Sequence, residues 1–221
     1  RIKMDSTSFH HGGHYTGYSV GAFAALGEFI RLCHGTDFQI DEESRGYFKK
    51  ALMAMYDYTN GRDWGIGVCG RHPFNGSIPD ADVETYAQLA LLGDLSASGQ
   101  AVDPELAGAY IALGGKDKAA LSTFKKAGIK AKAAPEGFRV YNYGAFGVHR
   151  RDGWMITLKG YNSDVWCSEI YAADNRYGRY QSYGSAQIIL PSGAKASGYA
   201  QEGWDWNRYP GITSIHLPFD L

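Results

Sequence analysis

Apolar positions recur at three- and four-residue spacing through the first 130 or so residues and at two-residue spacing after them. The chain is therefore predicted to be helical first and strand-rich second. The stretch from Tyr18 to Ile30 sets Phe23, Leu26, Phe29 and Ile30 along one helical face, with Gly35 as its stop. A second helix is expected from about Glu42 to Thr59, with Tyr47, Phe48, Ala51, Leu52, Met55 and Tyr56 on one face and Asn60-Gly61 terminating it. Asp80 or Asp82 is expected to cap a third helix containing Tyr86, Leu89 and Leu92. Asp103-Pro104 opens a fourth, with proline at the first helical position, and a short Lys-rich fifth occupies about Lys118 to Lys126.

The pattern changes at Ala134-Pro135-Glu136-Gly137. Beyond it Phe138–Tyr141, Trp154–Leu158, Val165–Tyr171, Ser185–Leu190 and Thr213–Leu217 read as strands, and Asp152-Gly153 is a hairpin signal between the first two. The expected fold class is α+β and multidomain, with a helical part over residues 1–133 and an antiparallel β part over residues 134–221.

Composition narrows the function classes. With 22 basic against 23 acidic residues the chain carries no bulk field for a polyanion, so an acidic ligand has to be held by local charge. Nucleic acid is disfavoured as a partner for the same reason. No run of 18 apolar residues is present, so membrane insertion is not expected. Arg1-Ile2-Lys3 is neither an initiator methionine nor a signal peptide, and the chain is expected to be processed, trimmed or part of a longer protein. Cys33, Cys69 and Cys167 allow at most one disulfide and match no metal-ligand spacing. The 16 Tyr and 5 Trp exceed what a core usually requires, which fits both a sugar-binding cleft and a Tyr-rich β structure.

Four clusters set polar and titratable side chains beside glycines and away from the apolar periodicity. The first is Phe9–Tyr18, with His10, His11 and His14. No His-Glu-x-x-His pattern accompanies the three histidines, and a Gly-rich loop presenting His11 and Tyr18 to a ligand fits better than a metal. The second, Gly70–Gly76, holds Arg71, whose planar guanidinium suits a carboxylate, and His72. A solvated surface arginine is the plainer alternative. The third, Ser168–Gly184, contains Glu169, Arg176 and Arg179, and the fourth, Glu202–Gly211, contains Trp204 and Trp206. Loops dense in Arg, Tyr and Trp suit an anionic sugar, though a packed β-turn network accounts equally well for the fourth.

The His11–Tyr18 element, Gly70–Phe74, Gly147–Trp154, Ser168–Tyr171, Asn175–Ser182 and Glu202–Gly211 together resemble polysaccharide lyases of family eight, on the side of the chondroitin sulfate ABC branch. The likeness runs from about Phe9 to Leu221 in the same motif order. It implies the end of an α/α-toroid followed by the start of an antiparallel β-sandwich, with the sugar bound between them. It implies His11, Tyr18, Arg71 and Glu169 as catalytic residues. His10, His72, Arg176, Arg179, Trp204 and Trp206 are the substrate-binding candidates. The Asn that helps hold the uronate in some branches has no counterpart in this chain, and His10 or His11 stands in its place. Family members are several times longer, so the partners implied are an acidic polysaccharide and the remaining segments of a parent lyase. Secretion or a periplasmic location is implied as well. No cofactor is required, and whether a divalent cation assists is open.

The implied chemistry is β-elimination from a 4-linked uronic acid. Its C5 proton is weakly acidic, so the adjacent carboxylate has to be neutralised and the enolate-like charge stabilised, a task for Arg71 and His11. A phenol titrates near pKa ~10, and a neighbouring cation lowers it enough to let Tyr18 take the C5 proton and return one to O4. Glu169 would orient Arg71 or the phenol, and the division of the base role between His11 and Tyr18 is left open by the sequence. A glycoside hydrolase using Glu169 with Asp174, or Glu202 with Asp205, is the rival enzyme. A carbohydrate-binding module built on Trp204 and Trp206 is the rival without catalysis.

Overall fold

The computed structural model describes residues 1–70, 76–93, 99–165 and 184–193. A two-stranded hairpin, β1 (Phe9–His10) and β2 (Gly13–His14), leads into a single helical turn, α1 (Thr16–Ser19). Five longer helices follow: α2 (Ala22–Cys33), α3 (Glu42–Asp57), α4 (Asp80–Ala90), α5 (Pro104–Ala112) and α6 (Lys118–Lys126). A four-stranded antiparallel sheet, in the order β3 (Gly137–Tyr141), β4 (Phe146–Arg151), β5 (Trp154–Lys159) and β6 (Ala186–Ile189), completes an α+β arrangement.

The helical core forms where the apolar stripes meet. Phe23 of α2 meets Phe48 of α3 edge to face at 5.2 Å, a geometry that adds ~0.5–1.5 kcal/mol to the burial itself. Tyr86 of α4 is fully buried and donates to the Leu52 carbonyl at 2.6 Å, so its hydroxyl enters the core without an unmet hydrogen bond. Asp41, Asp103 and Asp117 cap α3, α5 and α6 with side-chain oxygens, and Pro104 opens α5 as expected.

Several expectations are corrected. The helix expected from Tyr18 to Ile30 is broken at Val20-Gly21, where Gly21 has φ +79°, into α1 and α2. Phe29 and Tyr47, on the apolar faces of their helices by spacing, lie at the margins of those faces and are each 49% exposed. The second helix stops at Asp57 with Tyr58 as its cap, before Asn60-Gly61. Leu92 lies past the end of α4, and Pro79, not an aspartate, is the N-cap of that helix. Asp82 does cap a helix, but a different one. Its two carboxylate oxygens accept the Gly21 N–H at 2.9 and 3.0 Å, closing the N-terminus of α2, where negative charge also meets the helix dipole. Burial nevertheless outweighs these bonds and raises the Asp82 pKa.

In the sheet, Asp152-Gly153 turns β4 into β5, so a strand not anticipated, Phe146–Arg151, stands between the first two expected ones. The alternation there was masked by Gly147 and by the polar run His149-Arg150-Arg151. Arg150 nevertheless points inward, and its Nη2 donates to the backbone carbonyls of Asp57 (3.2 Å) and Thr59 at the end of α3. Of the strand expected over Val165–Tyr171 only Val165 is described, and Thr213–Leu217 lies outside the described residues.

The inner sheet face clamps the loop after α3. Asn60 Nδ2 donates to the Gly153 and Ile189 carbonyls at 3.0 Å each, and Gln187 Oε1 accepts the Ile66 N–H at 2.7 Å. These bonds hold the 3-10 turn Ile66–Val68 against β5 and β6 and thereby fix where the chain arrives at Gly70. The outer face is apolar too. Phe138, Val140, Leu158 and Ile188 are exposed on it and form a contiguous apolar surface.

Candidate active site at the N-terminal hairpin

The hairpin presents two faces of different character. Its loop is His11-Gly12, with φ +48° and +79°, the two-residue turn in which both central residues are left-handed. Glycine accepts this freely, and histidine tolerates it better than a β-branched residue. Residues opposite one another share a face, so His10 pairs with Gly13 on one side and Phe9 with His14 on the other. Gly13 has no side chain to hold Tyr15 away: a β-carbon there would lie 2.6 Å from Tyr15 Cζ.

On the His10 side a ring cluster assembles. The His10 imidazole stacks on Tyr18, centroids 4.7 Å apart and planes 28° apart, and His11 lies 5.8 Å from the same ring and 3.9 Å from His10. Fully buried Tyr15 supports Tyr18 edge to face at 6.1 Å. Tyr18 is half-buried, whereas His10 and His11 are exposed. The cluster thus opens to solvent on the histidine side, with the phenol at its floor. Opposite, Gly70 abuts the Tyr18 ring.

The structure brings together three of the residues singled out in the sequence, His10, His11 and Tyr18. Arg71, His72, Glu169, Arg176, Arg179, Trp204 and Trp206 lie outside the described residues. The three histidines do not converge as metal ligands would. His14 is buried on the far face, and among the described residues no group of three or more His, Cys, Asp or Glu side chains is arranged for a metal. Cys33 and Cys69 are free thiols, and burial pushes that of Cys69 up to about 12.

His14 and Gly70 are the structural residues that sequence reasoning missed. His14 was legible only as one of three histidines, because the hairpin that sorts them onto two faces starts from His-Gly, a weaker turn signal than Asn-Gly or Asp-Gly. His14 Nδ1 lies 2.9 Å from the Ser8 carbonyl and its ring meets Tyr58 and Phe146 edge-on at 5.2 and 5.8 Å. Desolvation, with lesser help from Lys159, lowers its pKa to about 4 against the pull of the Ser8 carbonyl and Asp5. Lys159 is itself buried, donates to the Gly160 carbonyl at 2.7 Å, and is brought down to about 8 by desolvation.

A helical layer carrying an exposed imidazole pair over a phenol, joined to an antiparallel sheet, is the setting in which known proteins become informative. Residues 1–120 match the family described as "Lyase, catalytic", and residues 136–218 match "Polysaccharide lyase family 8, super-sandwich domain". The chain belongs to polysaccharide lyase family 8. It is 41% identical over 217 residues to the chondroitin sulfate ABC endolyase of Proteus vulgaris, covering 98% of this chain and 21% of that protein. It is 33% identical to the chondroitin sulfate ABC exolyase of Bacteroides thetaiotaomicron, covering 100% of this chain and 24% of that protein. The chain thus spans about a fifth to a quarter of the length of these relatives. The solved structure of a chondroitinase AC lyase superposes with a TM-score of 0.70 at 18% identity, over 96% of this chain and 29% of that one, which is a likeness of fold.

Proposed function

We propose that the full-length protein is a polysaccharide lyase that cleaves uronic-acid-containing glycosaminoglycans, chondroitin and dermatan sulfate foremost and hyaluronan among the candidates, by β-elimination. The observation that carries this reading is the gathering of His10 and His11 over the Tyr18 phenol at an open surface, with Gly70, the residue ahead of Arg71, against the same ring. Likeness to two lyases named for chondroitin sulfate supports the substrate class.

In the proposed reaction Tyr18 takes the C5 proton of the uronate. The electron pair left on C5 forms the C4–C5 double bond as the C4–O4 bond breaks, and O4 leaves with a proton returned from Tyr18. His11 and Arg71 meet the charge that builds on the carboxylate, where an aimed donor is worth most. Glu169 orients Arg71 or the phenol, while His10, His72, Arg176, Arg179, Trp204 and Trp206 hold the chain. No cofactor enters this scheme.

The helical part, residues 1–133, is taken as the end of an α/α-toroid and residues 134–221 as the start of the β-sandwich. The apolar outer sheet face supports the latter, since a sheet buried on both sides needs a second layer. Remaining segments of the parent protein supply that layer and the rest of the cleft. A polymer of this kind is met outside the cytoplasm, so the proposed location is extracellular or periplasmic. Among the described residues no helix is long and apolar enough to cross a membrane.

The test is to incubate the full-length protein with chondroitin, dermatan and hyaluronan and follow ultraviolet absorbance of conjugated ends. Unsaturated oligosaccharides are expected. Saturated products would make the enzyme a hydrolase, and binding without cleavage would make it a carbohydrate-binding protein.

A further inference from the structure

The buried face of the hairpin carries a residue that the elimination scheme does not use. α1 is one turn long and has no side-chain cap of its own, and a single turn is unstable in isolation. Its orientation, and with it the direction of the Tyr18 phenol, has to be imposed from outside. A closed circuit of side chains does this. Ser19 at the end of α1 hydrogen-bonds through its hydroxyl to that of Ser8. The Ser8 carbonyl meets His14 Nδ1 at 2.9 Å. The His14 ring stands edge-on to Tyr58, and Thr16 at the start of α1 donates to the Tyr58 hydroxyl at 3.2 Å. The circuit returns to the helix it started from, with Tyr18 between its two points of attachment.

We infer that His14 is the positioning residue that locks the His10–His11 hairpin to the Tyr18 turn, acting through its Nδ1–H on the Ser8 carbonyl and its ring against Tyr58 and Phe146. The inference rests on the lyase reading above. A carbonyl only accepts, so the 2.9 Å contact requires the proton on Nδ1. His14 Nε2 is buried and has no hydrogen-bond partner among the described residues, which leaves the imidazole's other nitrogen without a task. Gly144 passes so close to this ring that a β-carbon there would lie 3.3 Å from His14 Cδ2, leaving the imidazole little room to turn over. The depressed pKa is consistent with a ring kept neutral as a fixed strut.

The two nitrogens make a clean experiment. In His14→Asn the amide nitrogen falls where Nδ1 was and can still donate to Ser8, whereas in His14→Gln it falls where Nε2 was and cannot. In the full-length lyase His14→Gln and His14→Leu are expected to lose kcat by ~10- to 100-fold, the scale of a misplaced catalytic group, with KM little changed. His14→Asn is expected to stay within ~3-fold of the parent, because a donor to the Ser8 carbonyl is preserved. Equal losses in the Asn and Gln variants would overturn the inference, as would unchanged kcat in a folded Leu variant. Should the Leu variant fail to fold, the Asn–Gln contrast still decides. Tyr18→Phe run beside them separates the two levels: an active Tyr18→Phe removes the lyase assignment of Tyr18, whereas an inactive one with an active His14→Gln removes only the role of His14.

Discussion

The backbone of Gly70 lies against the edge of the Tyr18 ring so closely that a β-carbon on it would sit 2.9 Å from Tyr18 Cε2. Gly70 also has φ +65°, so two independent constraints select glycine immediately before Arg71. The expected result of Gly70→Ala is a loss of ~1–2 kcal/mol from the left-handed backbone alone. Turnover should fall further than stability accounts for, because the methyl group displaces Tyr18. Thermal unfolding and kcat measured together check this; an alanine variant with normal kcat would show that Tyr18 is free to move aside.

The order of elements was legible because it rests on periodicity. The stripe in Glu42–Asp57, the Asp103-Pro104 start and the Lys118–Lys126 helix each follow from local signals that tertiary packing did not override. What escaped depends on contacts distant in sequence. Asp82 was read as a local cap and instead serves Gly21, 61 residues away. Strand β4 was hidden because Arg150 faces inward, which only the carbonyls at the end of α3 explain. In the site, the clustering of His10, His11 and Tyr18 beside glycines was visible in the sequence and their proposed roles came from the family resemblance, but the division of three histidines into an exposed pair and a buried third was not legible, since it follows from the facing of the two hairpin strands.

Tyr18→Phe keeps the ring that His10 stacks on and removes only the hydroxyl. In the full-length protein, substrate binding is expected to persist while formation of unsaturated product falls by at least ~100-fold, the cost of losing an acid–base group. Arg71→Ala is expected to cost ~100- to 1000-fold through the lost stabilisation of the developing charge. Binding and ultraviolet absorbance measured on both variants check the pair; unchanged product in Tyr18→Phe would move the base role to His11.

Asp82→Ala removes the acceptor for the Gly21 N–H and leaves the start of α2 without its cap. A destabilisation of ~0.5–2 kcal/mol is expected, the scale of a lost cap at a helix N-terminus. Chemical denaturation is the measurement. A change below that range would mean that water replaces the carboxylate at Gly21.

Residues 1–221 expressed alone should associate, because Phe138, Val140, Leu158 and Ile188 leave an apolar sheet face open and Leu32 and Phe38 leave further apolar surface on the helical side. Sedimentation across a concentration series should show self-association for this segment, and Leu158→Lys with Ile188→Lys should reduce it. Little or no lyase activity is expected from the segment. A monodisperse, active segment would mean that the outer face needs no cover and that the cleft is already complete.

The last expectation concerns acid, and its sign follows from His14. The folded state lowers the His14 pKa from 6.5 to about 4, so folding favours the neutral ring. A group depressed in this way leaves stability intact above ~6.5 and withdraws it as pH falls toward 4, by ~3 kcal/mol in all. Lys159 opposes protonation of the ring and Asp5 favours it, but burial against Tyr58 and Phe146 is the larger cause. The loss should appear first in the hairpin and α1, which the ring holds, and not in the distant α5 and α6. Amide-exchange protection of residues 8–20 in the full-length protein, compared between pH 7 and pH ~4.5, reads it directly. The parent should lose protection in that segment while His14→Asn, which has no proton to gain there, stays nearly flat. Equal losses in both would assign the acid sensitivity to carboxylates elsewhere and leave His14 without a part in it.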